Sequence, residues 1–371
     1  MRSVLVTGAN GFIGKNMVEA LSRRDETTVL TFDINDDVSS LKSSLQRADI
    51  VFHFAGVNRP KNVDEFDLGH AGLTQTIVSL INEYGNKLPI VMSSSIQADL
   101  DNPYGLSKKK AENILFEYSK KTGASVYIYR LTNVFGKWCR PNYNSVVATF
   151  CHNISHGLDI TISDRNKAIE LVYIDDVVAS FLSILDGKLA VTPGQFVTVM
   201  PSYKMTLGNL ADLIYQFRDI RKTLVLPDFS DDFVKCLYAT YLSYLDKSEF
   251  SYSLDIKTDK RGCLAELIKS EHIGQIFVSK SHAGIIRGHH YHNTRVEKFC
   301  VIKGNAVIKF RHILNDEVIP YYVSGDKFEV VDIPPGYTHS IENLSNDEMI
   351  VLFWTDQIFN PDKTDTYFKE V

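Results

Sequence analysis

Two groups of residues in this 371-residue chain have the types and spacing to do chemistry. His290, His292 and Glu297 fall within one short run, and His339 follows in Pro334-Pro-Gly-Tyr-Thr-His339. Side chains alternate faces along a strand, so His290 and His292 point the same way. Three imidazoles and one carboxylate make a nitrogen and oxygen donor set that suits zinc or another divalent transition metal. The second group is Tyr104 and Lys108, in a run that opens at Asn102-Pro103 and reads as a helix to about Thr122. Four residues apart, they share a helical face. An ammonium near a phenol favours the phenolate, so Lys108 is expected to lower the Tyr104 pKa. A general acid that donates to a carbonyl oxygen near neutral pH needs that shift.

The elements around the second group are those of a dinucleotide site. Ser3-Val-Leu-Val-Thr7 reads as a strand ending at Gly8-Ala9-Asn10-Gly11-Phe12-Ile13-Gly14, with a helix expected from Lys15 to Arg24. Strand, glycine loop and helix bring a pyrophosphate onto a helix N-terminus, and the glycines let the backbone turn tightly and approach closely. Gly8, Asn10, Gly11, Phe12, Ile13 and Gly14 are therefore candidate cofactor contacts. Ala55 and Gly56, which end the buried run Ile50-Val-Phe-His-Phe-Ala-Gly56, join them. Thr28-Val-Leu-Thr-Phe-Asp33 reads as a second strand whose terminal Asp33 is spaced to hydrogen-bond the adenosine ribose. A helix is expected from Leu73 to Tyr84. Pro89-Ile-Val-Met-Ser-Ser-Ser95 then places serines at the carboxyl edge, where ligands bind in doubly wound sheets.

Length suggests two or three domains. The 44% hydrophobic and 23% charged residues are those of an ordinary globular protein. Lysine and arginine number 40 against 45 acids, a formal charge of −5. The one basic run, Lys108-Lys-Lys110, lies in a predicted helix and reads as a solvated face, so no nucleic-acid partner is expected. No apolar run reaches the roughly 18 residues of a membrane span, and the N-terminus shows no signal-peptide pattern. Cys139, Cys151, Cys236, Cys263 and Cys300 form no CxxC pair and read as reduced thiols, so a cytoplasmic location is expected.

Taken together, Gly8-x-x-Gly11-x-x-Gly14, the serine run, Tyr104-x-x-x-Lys108, Arg130-Leu-Thr-Asn133-Val-Phe-Gly136 and Val172-Tyr-Ile-Asp175 resemble an extended short-chain dehydrogenase/reductase (SDR) of the nucleotide-sugar type. The resemblance covers residues 1 to about 245. It implies that a serine, Ser94 or Ser95, acts with Tyr104 on a substrate carbonyl. It implies too that Lys108 also holds the nicotinamide ribose and that Asn133 lies beside the sugar nucleotide. Two departures stand out. Ile96-Gln-Ala-Asp99 replaces the usual Tyr-Gly after the serine strand, and Glu170-Leu171 replaces an Arg-Asp pair, leaving the diphosphate-binding arginine unassigned.

From Ser253 the pattern shifts to short strands separated by turns, which argues for a sandwich or barrel. Gly284-x5-His290-x-His292-x4-Glu297-x6-Gly304 resembles the first cupin motif, and Pro334-x-Gly336-x2-His339-x3-Asn343 most of the second. Lys260-Arg261-Gly262-Cys-Leu-Ala-Glu266, Ser281-His-Ala-Gly284-Ile-Ile-Arg287-Gly288 and the stretch ending at His339 resemble the deoxysugar-epimerase branch of cupins. There a histidine aligned with His290 is the general base, and Arg287 belongs to the substrate site. If His290 binds the metal, that base remains unassigned, with His289, Tyr291 and Lys298 the nearby groups; the metal is then either catalytic or structural.

The expected architecture is an α/β Rossmann-type doubly wound domain, residues 1–246, followed by an all-β jelly-roll (cupin) domain, residues 252–371. The helical patterns from Leu207 to Asp246 are expected to complete the reductase. The whole chain is similar to the bifunctional capsular polysaccharide enzymes that join an extended SDR to an epimerase-like cupin. That resemblance implies C3 epimerisation of a UDP-4-keto-6-deoxy-N-acetylhexosamine, then C4 keto reduction to UDP-2-acetamido-2,6-dideoxy-L-talose on the route to N-acetyl-L-fucosamine. It further implies NADPH, zinc and a homodimer, although Asp33 by itself leans toward NADH because a carboxylate repels a 2′-phosphate. Epimerisation must precede reduction, since reduction removes the carbonyl that acidifies the neighbouring carbon. Alternatively the chain is a 4-keto reductase alone, its cupin a dimerisation or ligand-sensing module.

Overall fold

The computed structural model describes residues 2–189, 194–259, 262–265, 267–268, 274–357 and 362–371. Lys260, Arg261 and Glu266, quoted above for the epimerase resemblance, lie outside them. The chain divides into two compact units, Met1–Ser145 with Ile169–Lys204, and Val146–Ala168 with Met205–Val371.

The first unit is built on a six-stranded parallel sheet. Its order is Thr27–Phe32, Arg2–Thr7, Ile50–His53, Ile90–Ser95, Val126–Leu131 and Phe196–Val197. Leu5, Val51, Ile90 and Ile128 on these strands are fully or almost fully buried against Leu41, Leu45, Ile77 and Leu115 on helices. Each such side chain contributes roughly 1.5–3 kcal/mol on burial. The result is the Rossmann-like arrangement expected, with ligand-binding loops at the carboxyl ends of the strands.

The helix Pro103–Thr122 shows how local sequence fixes an element. The Asn102 side chain accepts from Gly105 N at 2.8 Å, Pro103 occupies the first turn, and Gly123 stops the helix in the left-handed region at φ 74°. The first helix runs Phe12–Ser22 rather than from Lys15, so the second half of the glycine loop is already its first turn.

The second unit carries two five-stranded antiparallel sheets. One runs in the order Ser251–Ser253, Glu329–Ile333, Glu297–Lys303, Met349–Thr355, Gln275–Ser281. The other runs Val318–Ser324, Asn305–His312, Tyr337–Asn343, Ile286–Tyr291, Tyr367–Phe368. The helices Val146–Ser155, Leu207–Thr223 and Asp232–Leu242 belong to this unit and not to the first. Arg221 pairs with the buried Asp332 at 2.8 Å, and Phe229 packs on Trp354 at 5.9 Å. The packing boundary therefore falls elsewhere than the change of motif near 246–252.

Candidate functional site

In the first unit, the glycine loop closes on itself as a phosphate-binding turn should. Gly8 stands at φ 69°, and a Cβ there would lie 2.7 Å from Ala55 N. A Cβ on Gly14 would lie 2.0 Å from Gly8 O. Both positions therefore require glycine. Asn10 N donates to Asp33 Oδ2 at 2.6 Å, so the loop and the acid at the end of the second strand are joined directly. The strand stops at His53, so Ala55 and Gly56 lie just beyond its end and not within a buried strand; a Cβ on Gly56 would lie 3.5 Å from Lys108 Nζ.

The serines separate by geometry. Ser95 is half-buried and its hydroxyl accepts from Gln97 N at 3.2 Å, whereas the buried Ser94 donates to Glu112 at 2.5 Å. Glu112 is held in turn by Arg130, at 2.7 and 3.0 Å, and Arg130 reaches Asp99 at 2.8 Å. The Ile96–Asp99 segment that departs from the family pattern thus supplies the exposed end of an ion-pair chain that runs through Arg130 to the buried Glu112. Lys108 is buried, donates to Ser93 O at 3.2 Å, and stands 5.9 Å from the centre of the Tyr104 ring. Burial brings its pKa down to about 8, against the opposing charge of Glu112. Contrary to the expected lowering, burial raises the Tyr104 phenol, and Ser95 offsets this only in part. Desolvation of a phenolate outweighs an ammonium nearly 6 Å off. Asn133 is exposed, its amide donating to Glu170 O at 3.0 Å.

Sequence reasoning missed two buried histidines here. His53 bonds Thr7 and Thr74 hydroxyls at 2.8 and 2.9 Å. His70 lies in a π-helical turn, Leu68–Gly72. It accepts from Val57 N at 3.1 Å and bonds Ser107 at 2.8 Å, and Ser107 donates to Tyr104 O. Its ring meets the Tyr104 ring edge-on at 5.5 Å. Burial and the Lys108 charge push both imidazoles down, to about 3 and about 2, so both are neutral. Lys137, also missed, is buried and paired with the motif residue Asp175 at 2.8 Å.

In the second unit, His290, His292, Glu297 and His339 come together with one ligand atom each, all within 4.8 Å of one another. Glu297 comes from one sheet, His290 and His339 from the other, and His292 follows the strand Ile286–Tyr291. His292 Nε2 and His339 Nε2 are buried without hydrogen-bond partners and face Glu297 Oε2 at 3.3 and 3.5 Å. Burial pushes the Glu297 carboxyl up, but His292 and His339 outweigh it and hold it well below the usual range. Burial and the neighbouring imidazoles bring His290 down to about 4. Orphaned imidazole nitrogens around a buried carboxylate fit a divalent transition ion.

A residue with no sequence signal supports this cluster. Asp365 O accepts from His292 Nδ1 at 2.5 Å, which leaves the Nε2 lone pair facing the cluster. Its carboxylate accepts from Asn293, Thr294 and Arg295 N–H groups at 2.8 to 3.1 Å. The three nearby groups considered as bases are engaged elsewhere. Lys298 is buried against Asp332 at 2.6 Å, Tyr291 packs on Tyr367, and His289, at φ 54°, accepts from Val371 N. Arg287 is exposed and donates to Ser279 at 3.0 Å.

These features have counterparts among known proteins. Residues 4–198 match the NAD dependent epimerase/dehydratase family, and residues 257–367 the polysaccharide biosynthesis C-terminal domain. The UDP-2-acetamido-2,6-beta-L-arabino-hexul-4-ose reductase of Pseudomonas aeruginosa is 43% identical over 98% of this chain and 97% of that protein. The crystal structure of the capsular polysaccharide assembling protein CapF from Staphylococcus aureus covers the whole of both chains at 44% identity with a TM-score of 0.68. UDP-glucuronic acid 4-epimerase from Bacillus cereus, at 19% identity and a TM-score of 0.52 over 58% of this chain and 82% of that one, shares the fold. The chain therefore belongs to the NAD dependent epimerase/dehydratase family and is an enzyme of the CapF type.

Proposed function

We propose that the protein is a bifunctional nucleotide-sugar enzyme of capsular polysaccharide synthesis. It epimerises carbon 3 of a UDP-4-keto-6-deoxy-N-acetylhexosamine and then reduces carbon 4, giving UDP-2-acetamido-2,6-dideoxy-L-talose. The observation that carries the reading is Tyr104 with the buried Lys108 on one helical face, near Ser95 and the glycine loop. Its whole-length likeness to a 4-keto-sugar reductase supports it.

The bound nicotinamide supplies the hydride that reaches the carbonyl carbon. Ser95 donates a hydrogen bond to the substrate oxygen, and Tyr104 delivers its phenolic proton there as negative charge develops. A raised phenol pKa keeps that proton in place until the hydride arrives. Lys108, held by Ser93 O, orients the cofactor ribose and places positive charge near the phenolate left behind. The Gly8–Gly14 loop and helix receive the pyrophosphate.

We read the second unit as a cupin jelly roll, because ligands from two sheets converge in its interior. His290, His292, Glu297 and His339 would hold zinc, which supplies Lewis acidity to a neighbouring carbonyl oxygen. Asp365 fixes the His292 tautomer. Homodimerisation has a candidate surface in Ile276, Phe277 and Val278, exposed on an outer strand. The reduced thiols fit a cytoplasmic location. Product NMR after mixing enzyme, the 4-keto UDP-sugar and reduced nicotinamide tests the whole: the 6-deoxytalose product supports it, and a sugar reduced without inversion at carbon 3 removes the epimerase half.

A further inference from the structure

Resting on the reductase reading, we infer that the hydride donor is NADH and not NADPH, and that Asp33 and Asn10 set this choice. Asp33 stands immediately after the strand Thr27–Phe32, half-buried, with Oδ2 accepting from Asn10 N at 2.6 Å and Oδ1 from Ile34 N at 2.8 Å. Each oxygen uses one lone pair on the backbone and keeps another, so the carboxylate can accept from both ribose hydroxyls of an adenosine. The hydrogen bond from Asn10 ties that carboxylate to the glycine loop that takes the pyrophosphate. The 2′ position of a bound dinucleotide is thereby directed at Asp33.

A 2′-phosphate would bring about −1.5 to −2 charge to this place near pH 7. It would need cations to neutralise it, and the loop offers none. Asp33, Asp36 and Asp37 give three carboxylates in five residues with no lysine or arginine among residues 33–41. Asp36 accepts from Asp33 N at 2.7 Å, which keeps its charge beside Asp33. The helix Val38–Arg47 begins here, and its N-terminus would otherwise attract a phosphate. Asp37 occupies it as the cap, accepting from Ser40 N at 2.8 Å and from the Ser39 hydroxyl at 2.6 Å. Lys42, further along that helix, is paired with Glu83 at 2.9 Å. On the other side, the loop position joined to Asp33 carries Asn10, which is uncharged. Two adjoining positions where a base could neutralise a 2′-phosphate thus hold an amide and an acid.

The test is equilibrium titration of the full-length protein with NADH and NADPH, followed by nicotinamide fluorescence, with competition by AMP and by adenosine 2′,5′-bisphosphate. NADH should bind tighter by roughly 100-fold, the scale of one carboxylate–phosphate repulsion at intermediate dielectric. AMP should compete better than the bisphosphate. Asn10→Lys, which leaves the backbone donor to Asp33 in place, should narrow the gap by strengthening NADPH binding; Asp33→Arg should reverse the order. NADPH binding as tightly as NADH overturns the inference while leaving the reductase intact. Failure of both nucleotides to bind overturns the reductase reading as well, so the two failures are distinguishable.

Discussion

At the scale of single residues, the two serines make opposite predictions. Ser95→Ala removes a hydroxyl that pulls the Tyr104 pKa down and should lower kcat for carbonyl reduction by about 100-fold with little change in melting temperature. Ser94→Ala removes a buried donor to Glu112 and should cost about 1–2 kcal/mol of stability while sparing kcat. Equal kinetic losses in the two variants would contradict this division. The pH dependence follows from Lys108, whose pKa is brought down to about 8. Its ammonium is present below that pH and lost above it, while the Tyr104 phenol, raised by burial, keeps its proton through the same range. The kcat/KM for reduction should therefore fall as pH rises through about 8, and a profile flat across that point would contradict the assignment. Spacing made Tyr104, Lys108 and the four metal-type ligands legible in the sequence, because a helix and a strand translate fixed offsets into shared faces. It did not separate Ser94 from Ser95, which differ by one step along a strand. Nor did it reveal His70, whose position depends on an extra residue in a π-helical turn that a regular period does not anticipate.

At the scale of elements, what was legible had local causes. Asn102, Pro103 and Gly123 bound a helix by their own chemistry, and the parallel strands announce themselves as short apolar runs. The strand Val318–Ser324 was not anticipated: it carries Pro320 and pairs on one side only, with Asn305–His312. Asp365 was equally invisible, since nothing in its neighbourhood of sequence says that it caps a turn 70 residues earlier. That turn carries His292 into the cluster. Asp365→Ala leaves three backbone N–H groups without their carboxylate, and should weaken divalent-metal binding by roughly 10–100-fold. Competition against a chromophoric chelator measures this; unchanged affinity would mean that the capped turn does not position His292.

At the scale of the whole molecule, the sequence motifs and the packing divide the chain differently. The motif change near 246–252 marks where one recognisable pattern stops and another starts. Packing instead draws helices from earlier in the chain into the β unit, through the Arg221–Asp332 pair and the Phe229–Trp354 contact. Long-range burial of this kind leaves no local signature. A fragment of residues 252–371 leaves Asp332 and Lys298 buried without Arg221 and Tyr238 beside them. It should melt well below the full chain, by calorimetry, and equal melting temperatures would show that the helices are dispensable.

The central claim is that one chain carries two separable chemistries on one sugar. It is tested most directly by full-length Tyr104→Phe protein incubated with the 4-keto UDP-sugar and reduced nicotinamide in D2O. The account predicts deuterium at carbon 3 by NMR with no nicotinamide oxidation. Absence of deuterium in this variant and in the parent protein alike would contradict it, leaving a reductase whose second unit does no epimerisation.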